Sequence, residues 1–105
     1  MDEVLKKLED LLEQRKSAEV EDSYVALLYH KGLNEILKKI GEESAEVIIA
    51  AKDNEPEKII YEVADLWFHT LVLLRHKDIE IDKIAQELSK RFGLSGLQEK
   101  ANRNN

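Results

Sequence analysis

The chain has 105 residues, no cysteine and a formal net charge of −6, which limits it to one domain and excludes a disulfide scaffold or a thiolate zinc site. The acidic balance, without a basic stripe, argues against nucleic-acid binding driven by phosphate neutralisation. No apolar run is long enough to cross a bilayer, and the acidic N-terminus shows no secretory signal.

The first half of the chain begins with an amphipathic pattern. Leucines and a valine recur at helical spacing between charged residues and predict a helix over residues 3–16. Residues 17–23 are polar and indicate a connection. A short helical or irregular stretch from Ser23 is expected to close at Gly32.

Two longer helices are predicted next. Asn34 is a candidate N-cap for a helix that runs to about Lys52. After a polar break, Pro56 occupies the first turn of a helix that runs to about His76. The absence of convincing strands indicates an all-α fold of four or five helices.

The C-terminal part contains one more predicted helix. Asp82 is a candidate cap, the helix ends near Arg91, and Gly93 follows its end. We therefore divide the chain into a domain at residues 1–92 and a C-terminal tail at residues 93–105.

The helix that follows Pro56 is apolar most of the way round. Such a helix is expected to be buried among other helices, with Trp67 and Phe68 in the core. At about 100° per residue, Glu62, Asp65 and His69 form a narrow polar stripe on this helix. The stripe is therefore predicted to face the interior or a cleft, not solvent.

Carboxylates at i and i+3 mark both long helices. Glu43 and Glu46 share a stripe on the first, flanked by Glu42, and Glu62 and Asp65 share one on the second. A single such pair is more often a solvated helix face. Two pairs on consecutive apolar helices are harder to dismiss, because an unpaired buried carboxylate is costly.

A short loop would place the two helices antiparallel and bring the four carboxylates together. Their oxygens suit Mg²⁺, or Mn²⁺, and a Mg²⁺ held by carboxylates points to a phosphate substrate. The metal ligands predicted from this pattern are Glu43, Glu46, Glu62 and Asp65.

The neighbouring polar residues leave alternatives open. Glu42 is the first candidate for positioning the attacking water as a general base. Lys39 either contacts a phosphate oxygen or forms a salt bridge with Glu43, while a salt bridge is favoured for Lys38. His69 is either a ligand or, as we favour, a buried histidine that orients a carboxylate.

The order of these motifs resembles the phosphoribosyl-ATP pyrophosphatase family of the all-α, MazG-type nucleotide pyrophosphohydrolases. The resemblance covers roughly residues 3–91. It is carried by Ser23-Tyr24, by Gly32, by Lys38-Lys39-Ile40-Gly41-Glu42-Glu43 with Glu46, by Glu62-Val63-Ala64-Asp65 with the apolar run to Leu74, and by Glu87-Leu88 with Arg91.

The resemblance implies hydrolysis of 1-(5-phosphoribosyl)-ATP to 1-(5-phosphoribosyl)-AMP and pyrophosphate, the second step of histidine biosynthesis. It also implies Mg²⁺ dependence, a cytoplasmic location and a homodimer that completes a larger helical bundle. The four acidic residues would hold the metal, Lys39 would contact phosphate, and Ser23, Tyr24 and Arg91 would contact the phosphoribosyl or base end of the substrate.

Two other functions are compatible with the pattern. A house-cleaning nucleoside triphosphate pyrophosphohydrolase of the same fold would release pyrophosphate from ordinary or damaged dNTPs. A non-catalytic helical interaction module would use its acidic stripes for salt bridges with a partner, and would show no specific Mg²⁺ binding.

Overall fold

A computed structural model of the chain describes residues 2–92 and residue 103. This part is all-α, as predicted, with two 3₁₀ turns at Arg15–Ser17 and Val20–Asp22. The predicted tail at residues 93–105, and Gly93 as the residue that follows the last helix, lie outside the described residues apart from Arg103. The helices are α1 (Asp2–Gln14), α2 (Tyr24–Lys31), α3 (Leu33–Lys52), α4 (Pro56–His76) and α5 (Ile81–Ser89).

The junction between α2 and α3 is set by local capping. The Ser23 hydroxyl accepts a hydrogen bond from the backbone N–H of Ala26 and caps α2. Gly32 then ends α2 with a φ of 96°, a conformation that suits glycine, and its carbonyl accepts from Ile36 N–H in α3. Asn34 is therefore inside the first turn of α3, and its prediction as the N-cap is wrong because Gly32 serves both helices.

The long helices α3 and α4 form the antiparallel pair that dominates the packing of the described chain. Residues 53–55 connect them, and Pro56 begins α4 as predicted, since its missing N–H costs nothing in the first helical turn. A connection this short returns the chain directly along its neighbour. The pair therefore carries both polar stripes, one on α3 and one on α4.

The hydrophobic core lies where α1 and α2 pack against this pair. Its most buried side chains, Leu12, Ile36 and Val72, come from α1, α3 and α4 and have no solvent exposure. Removing such side chains from water is the main favourable contribution to folding. The remaining members of the buried cluster are Val25, Leu28 and Leu71.

One side of α4 is not covered in this chain. Ile60 is 69% exposed and Trp67 46% exposed, whereas Phe68 is partly buried and packs against the core. The prediction that Trp67 is a core residue is therefore wrong for the single chain, because α1 and α3 cover only part of a helix that is apolar nearly all round. No helix in the described residues is long and apolar enough to span a membrane.

The start of α5 is capped by a distant residue. Glu9 in α1 accepts a hydrogen bond from the backbone N–H of Ile81, with 2.7 Å between Oε2 and N. The N-cap position is Glu80, and Asp82 lies in the first turn. The predicted Asp82 cap is therefore wrong, because a carboxylate from another helix satisfies the free N–H.

Candidate active site

The register of the α3–α4 pair explains how the two acidic stripes meet. Glu43 lies nine residues before the end of α3, and Asp65 lies nine residues after the start of α4. Glu46 and Glu62 are each six residues from the same connection. In an antiparallel pair, equal distances from the turn place residues at the same level, so Glu43 faces Asp65 at one level and Glu46 and Glu62 share the next.

The level of Glu43 and Asp65 lies farther from the connection and is called the inner level. It forms a compact group of potential metal ligands. One ligand atom from each of Glu43, Asp65 and His69 lies within 4.8 Å of the others. Glu43 and His69 are buried, with 8% and 3% of their surface exposed, while the Asp65 side chain keeps 32% of its surface exposed. The group is thus embedded on one side and open to solvent at Asp65.

Burial has a direct electrostatic effect on this group. Burial, the hydrogen bond with Asp65 and the negative charges of Asp65 and Glu62 together raise the pKa of Glu43 from 4.5 to about 7, against the lowering effect of Lys39. A desolvated carboxyl group beside a second carboxylate favours the protonated form. Either a bound proton or a nearby cation would therefore lower the free energy of Glu43 in this position.

The donor set fits a hard divalent cation. Two carboxyl groups on neighbouring helices, one of them buried and with a raised pKa, provide oxygen ligands and concentrate negative charge at the same point. Solvent access at Asp65 leaves room for the waters that Mg²⁺ usually retains. Glu43 and Asp65 are the predicted metal residues that the structure brings together.

The other two predicted metal residues, Glu46 and Glu62, lie at the level nearer the connection, which is called the outer level. Glu46 is exposed and Glu62 is partly buried, and neither joins the group of Glu43, Asp65 and His69. A helix rises about 1.5 Å per residue, so three residues separate the two levels by about 4.5 Å along the helices. Glu62 is nevertheless close enough for its charge to act on Glu43.

His69 is held at both ring nitrogens. Its Nδ1 lies 2.9 Å from the backbone oxygen of Asp65 and 3.6 Å from the Oδ1 atom of the same residue. Its Nε2 lies 2.9 Å from the Tyr24 hydroxyl. The sequence favoured a buried histidine beside a carboxylate, and this geometry agrees with that interpretation.

Lys39 and Glu42 form an ion pair at the mouth of the group. The Lys39 Nζ atom lies 3.5 Å from Glu42 Oε2 and 3.9 Å from Glu43 Oε1. Lys38 reaches Glu42 only at 4.0 Å and has a side chain that is 65% exposed. These distances agree with the salt-bridge alternative for Lys39, and its contact with a phosphate oxygen stays a prediction.

The predicted substrate residues are dispersed. Tyr24 reaches the group through His69, whereas Ser23 serves as the cap of α2. Arg91 follows α5, donates to the carbonyl of Glu87 at 2.8 Å and is paired with its carboxylate at 3.9 Å. Since α5 packs against α1, Arg91 lies on a different pair of helices from the acidic group.

Sequence reasoning missed the Tyr24–His69 contact. The two residues are 45 positions apart, and no periodicity links them. The available signal was the polar histidine on the interior stripe of α4, which required a hydrogen-bond partner once buried.

Comparison with known proteins agrees with this geometry. The sequence model of the family described as Phosphoribosyl-ATP pyrophosphohydrolase matches residues 5–92. A protein of Ruthia magnifica subsp. Calyptogena magnifica named phosphoribosyl-ATP pyrophosphatase is 70% identical over 105 residues, covering 100% of both chains.

Proteins of the same name from more distant organisms are also similar. That of Methylococcus capsulatus is 57% identical over 101 residues, covering 96% of each chain. That of Neisseria gonorrhoeae is 54% identical over 102 residues, covering 97% of this chain and 95% of the other. The acidic group of α3 and α4 is therefore carried by a chain that belongs to the phosphoribosyl-ATP pyrophosphohydrolase family.

Proposed function

We propose that this protein hydrolyses 1-(5-phosphoribosyl)-ATP to 1-(5-phosphoribosyl)-AMP and pyrophosphate, the second step of histidine biosynthesis. The observation that carries the proposal is the buried Glu43, whose pKa is raised beside the carboxyl group of Asp65, in a chain that matches the family over residues 5–92. One water is consumed: its oxygen joins the attacked phosphorus and the bridge between the α- and β-phosphoryl groups breaks.

The proposed cofactor is Mg²⁺, with Mn²⁺ as a possible substitute. Glu43 and Asp65 would hold it at the inner level, and Glu46 and Glu62 would complete the site from the outer level, directly or through bound waters. When bound, the ion would neutralise phosphate charge and stabilise the pyrophosphate leaving group. The raised pKa of the buried Glu43 supports this assignment, since a bound cation would stabilise its charged form.

The water and the phosphate are assigned to the residues at the opening. Glu42 would orient the attacking water, because its side chain is 47% exposed and anchored by Lys39. Lys39 would meet a phosphate oxygen as a compact positive charge, exchanging part of its pairing with the carboxylates for the substrate. Both side chains are exposed enough to reach a bound nucleotide.

The phosphoribosyl or base end is assigned to Ser23, Tyr24 and Arg91. The Ser23 hydroxyl accepts from Ala26 N–H and keeps its own O–H to donate to a substrate oxygen. Arg91 is remote from the acidic group within one chain, which makes its role dependent on how two chains assemble.

A homodimer is proposed from the uncovered side of the long helices. The exposed apolar residues of α3 and α4 are more than a small monomer usually leaves in contact with water. A second copy would complete the bundle and bury them. These residues are Leu37, Ile48, Ile49, Ile60, Tyr61 and Trp67. We assign the protein to the cytoplasm, where histidine is made.

The test is a pyrophosphate-release assay that compares phosphoribosyl-ATP with a panel of dNTPs, with and without Mg²⁺. We expect Mg²⁺-dependent release from phosphoribosyl-ATP and little from the dNTPs. Light scattering on the same sample should report a dimer, and Ile60→Asp should shift it towards the monomer.

Each other result has a definite meaning. Preferential release from dNTPs would replace the proposed substrate with those of a house-cleaning enzyme. The absence of release from any nucleotide, together with a melting temperature that does not respond to Mg²⁺, would favour the interaction module, because a ligand that binds the folded state raises that temperature.

A further inference from the structure

The hydrogen bonds of His69 fix which ring nitrogen carries the proton. A backbone carbonyl can only accept, so the 2.9 Å contact with the Asp65 oxygen requires a hydrogen on Nδ1. In the neutral ring Nε2 is then the acceptor, and the Tyr24 hydroxyl, 2.9 Å away, donates to it. The lone pair that a metal would need is thus already used by Tyr24.

This hydroxyl also lies next to the acidic group. The pKa of Tyr24 is raised, first by burial and, against the opposing charge of Lys39, also by the negative charges of Asp65 and Glu43. The Tyr24 and His69 rings meet edge to face, with centroids 5.8 Å apart. The Tyr24 hydroxyl therefore occupies the Nε2 lone pair of His69 and lies close enough to Asp65 and Glu43 for their charges to act on it.

The consequence concerns which metal the site selects. Imidazole nitrogen suits Zn²⁺, Co²⁺ and other transition ions, whereas Mg²⁺ prefers oxygen ligands. With Nε2 engaged, the donor set beside His69 contains only oxygen. Loss of the Tyr24 hydroxyl would free the Nε2 lone pair, on a ring of which one nitrogen already lies within 4.8 Å of carboxylate oxygens of Glu43 and Asp65.

We propose that Tyr24 is a metal-specificity residue, whose hydroxyl occupies the Nε2 lone pair of His69 and keeps the site an all-oxygen one. The proposal rests on the metal site assigned above to Glu43 and Asp65. Tyr24 acts here through His69 and is a positioning residue in this role. The role requires no change in the fold.

The test measures metal binding, not turnover. Calorimetric titrations with Mg²⁺ and with Zn²⁺ compare the wild-type protein with Tyr24→Phe. We expect Tyr24→Phe to increase the Zn²⁺ affinity by about tenfold, the lower end of the effects seen for residues that support metal ligands, with the Mg²⁺ affinity unchanged. The double variant Tyr24→Phe/His69→Gln should lose this gain.

Spectroscopy and a matched control make the result specific. Proton NMR of the Co²⁺-loaded protein should show hyperfine-shifted imidazole signals in Tyr24→Phe that are absent from the wild type and from the double variant. Tyr61→Phe removes a hydroxyl from a side chain that is 68% exposed and should leave both affinities unchanged. His69→Gln alone should not alter the Zn²⁺ to Mg²⁺ affinity ratio, since His69 is not a ligand in the wild type.

The outcomes separate this proposal from the proposed function. An unchanged affinity ratio in Tyr24→Phe, or shifted imidazole signals already present in the wild type and lost in His69→Gln, overturns the role of Tyr24 while metal binding stands. If the wild type binds neither ion, the metal site itself is overturned. If binding follows the expected pattern without pyrophosphate release, only the substrate assignment fails.

Discussion

Glu9 and Glu43 are both buried glutamates, with 5% and 8% of their surface exposed. Their surroundings nevertheless shift their pKa values in opposite directions, down for Glu9 and up for Glu43. Glu9, in α1, is surrounded by donors and positive charge. Glu43, in α3, faces another carboxylate. The comparison separates a carboxylate that holds helices together from one that the fold leaves in need of a counter-charge.

The environment of Glu9 compensates for its burial. Burial works to raise its pKa, but the hydrogen bond from Ile81 N–H, the bond to Lys6 and the charges of Lys6 and Arg75 outweigh it, and the pKa is lowered. The Lys6 Nζ atom lies 2.9 Å from Oε1, and Arg75 Nη2 lies 3.9 Å from Oε2. Glu9 therefore links α1 to the start of α5 and the end of α4.

This structural network continues along the surface. Arg75 also pairs with Glu13 at 3.1 Å, and Lys16 bridges Glu13 and Asp78, each at 2.8 Å. Such exposed pairs contribute little individually, and the buried Arg75 Nε has no hydrogen-bond partner among the described residues. Donors and positive charges from three helices outweigh the burial of Glu9, whereas the Lys39 ammonium does not outweigh the burial of Glu43 beside Asp65.

The largest expected effect is on turnover. Glu43→Gln or Asp65→Asn should reduce pyrophosphate release from phosphoribosyl-ATP by more than about a hundredfold, because each removes a proposed metal ligand and even residues that only support ligands cost 10–100-fold. Neither variant should lose stability without metal, since the repulsion between the two carboxyl groups is relieved. Wild-type release by either variant would refute the assignment.

The corresponding change at Glu9 should act on stability. Glu9→Ala leaves Ile81 N–H without its acceptor and Arg75 without a buried partner, so we expect a loss of about 2 kcal/mol in the free energy of unfolding, at the upper end for a helix cap. Urea unfolding at fixed protein concentration measures it.

Two variants refine this measurement. Glu9→Gln keeps an acceptor for the N–H of Ile81 and should cost less than Glu9→Ala. Glu3→Ala, at an exposed position of the same helix, should be nearly neutral. Equal losses from Glu9→Ala and Glu3→Ala would show that the network does not hold α1 to α5.

The two glutamates should also give stability opposite dependences on pH. The folded-state pKa of Glu43 is raised from 4.5 to about 7, so the folded protein binds the extra proton and loses stability as the pH rises through this range without metal, by on the order of 3 kcal/mol. The pKa of Glu9 is lowered, so its contribution is present above 4.5 and is lost as the pH falls through the folded-state value.

Urea unfolding from pH 3 to pH 8 in the presence of EDTA tests both slopes. Glu43→Gln should flatten the upper part of the profile only, and Glu9→Gln the lower part only. If Glu43→Gln leaves the slope between pH 5 and pH 7 unchanged, then Glu43 is not the buried, uncompensated acid described here.

The smallest expected effect distinguishes two adjacent lysines. Lys39→Ala should lower kcat/KM by about tenfold, the contribution of one charge-assisted hydrogen bond, because the Lys39 ammonium lies 3.9 Å from Glu43 Oε1 and is proposed to contact phosphate. Lys38→Ala is the matched control and should change little, since its side chain is 65% exposed. Equal effects would mean that only the net charge of α3 matters.

Much of the fold followed from local pattern. The apolar spacing predicted both long helices, Pro56 marked the start of α4, and its predicted end at His76 is confirmed. These features are local because helix periodicity and the restriction of proline depend only on near neighbours. The predicted caps of α3 and α5 were wrong because the actual caps depend on contacts beyond the helix itself. Gly32 serves two helices at once, and Glu9 accepts from Ile81 N–H across 72 residues.

For the candidate site too, some features follow from local sequence and others depend on tertiary packing. The i, i+3 spacing of the acidic residues and the short connection between two helices were enough to predict that Glu43 and Asp65 meet. That Glu46 and Glu62 lie outside the compact group, while His69 lies within it, depends on side-chain burial and orientation after packing. The contact between Tyr24 and His69 depends on where α2 lies against α4.

By itself, the sequence determined that two helices carry facing carboxylates, because helical periodicity and a short antiparallel turn leave few other arrangements. Only the tertiary structure decided which carboxylate is compensated. The charge balance of a buried group depends on donors brought in from distant helices, as Ile81 and Arg75 are for Glu9. The positive charge beside Glu43 is the ammonium of Lys39, 3.9 Å away on the same helix, and it does not outweigh burial and the neighbouring carboxyl group.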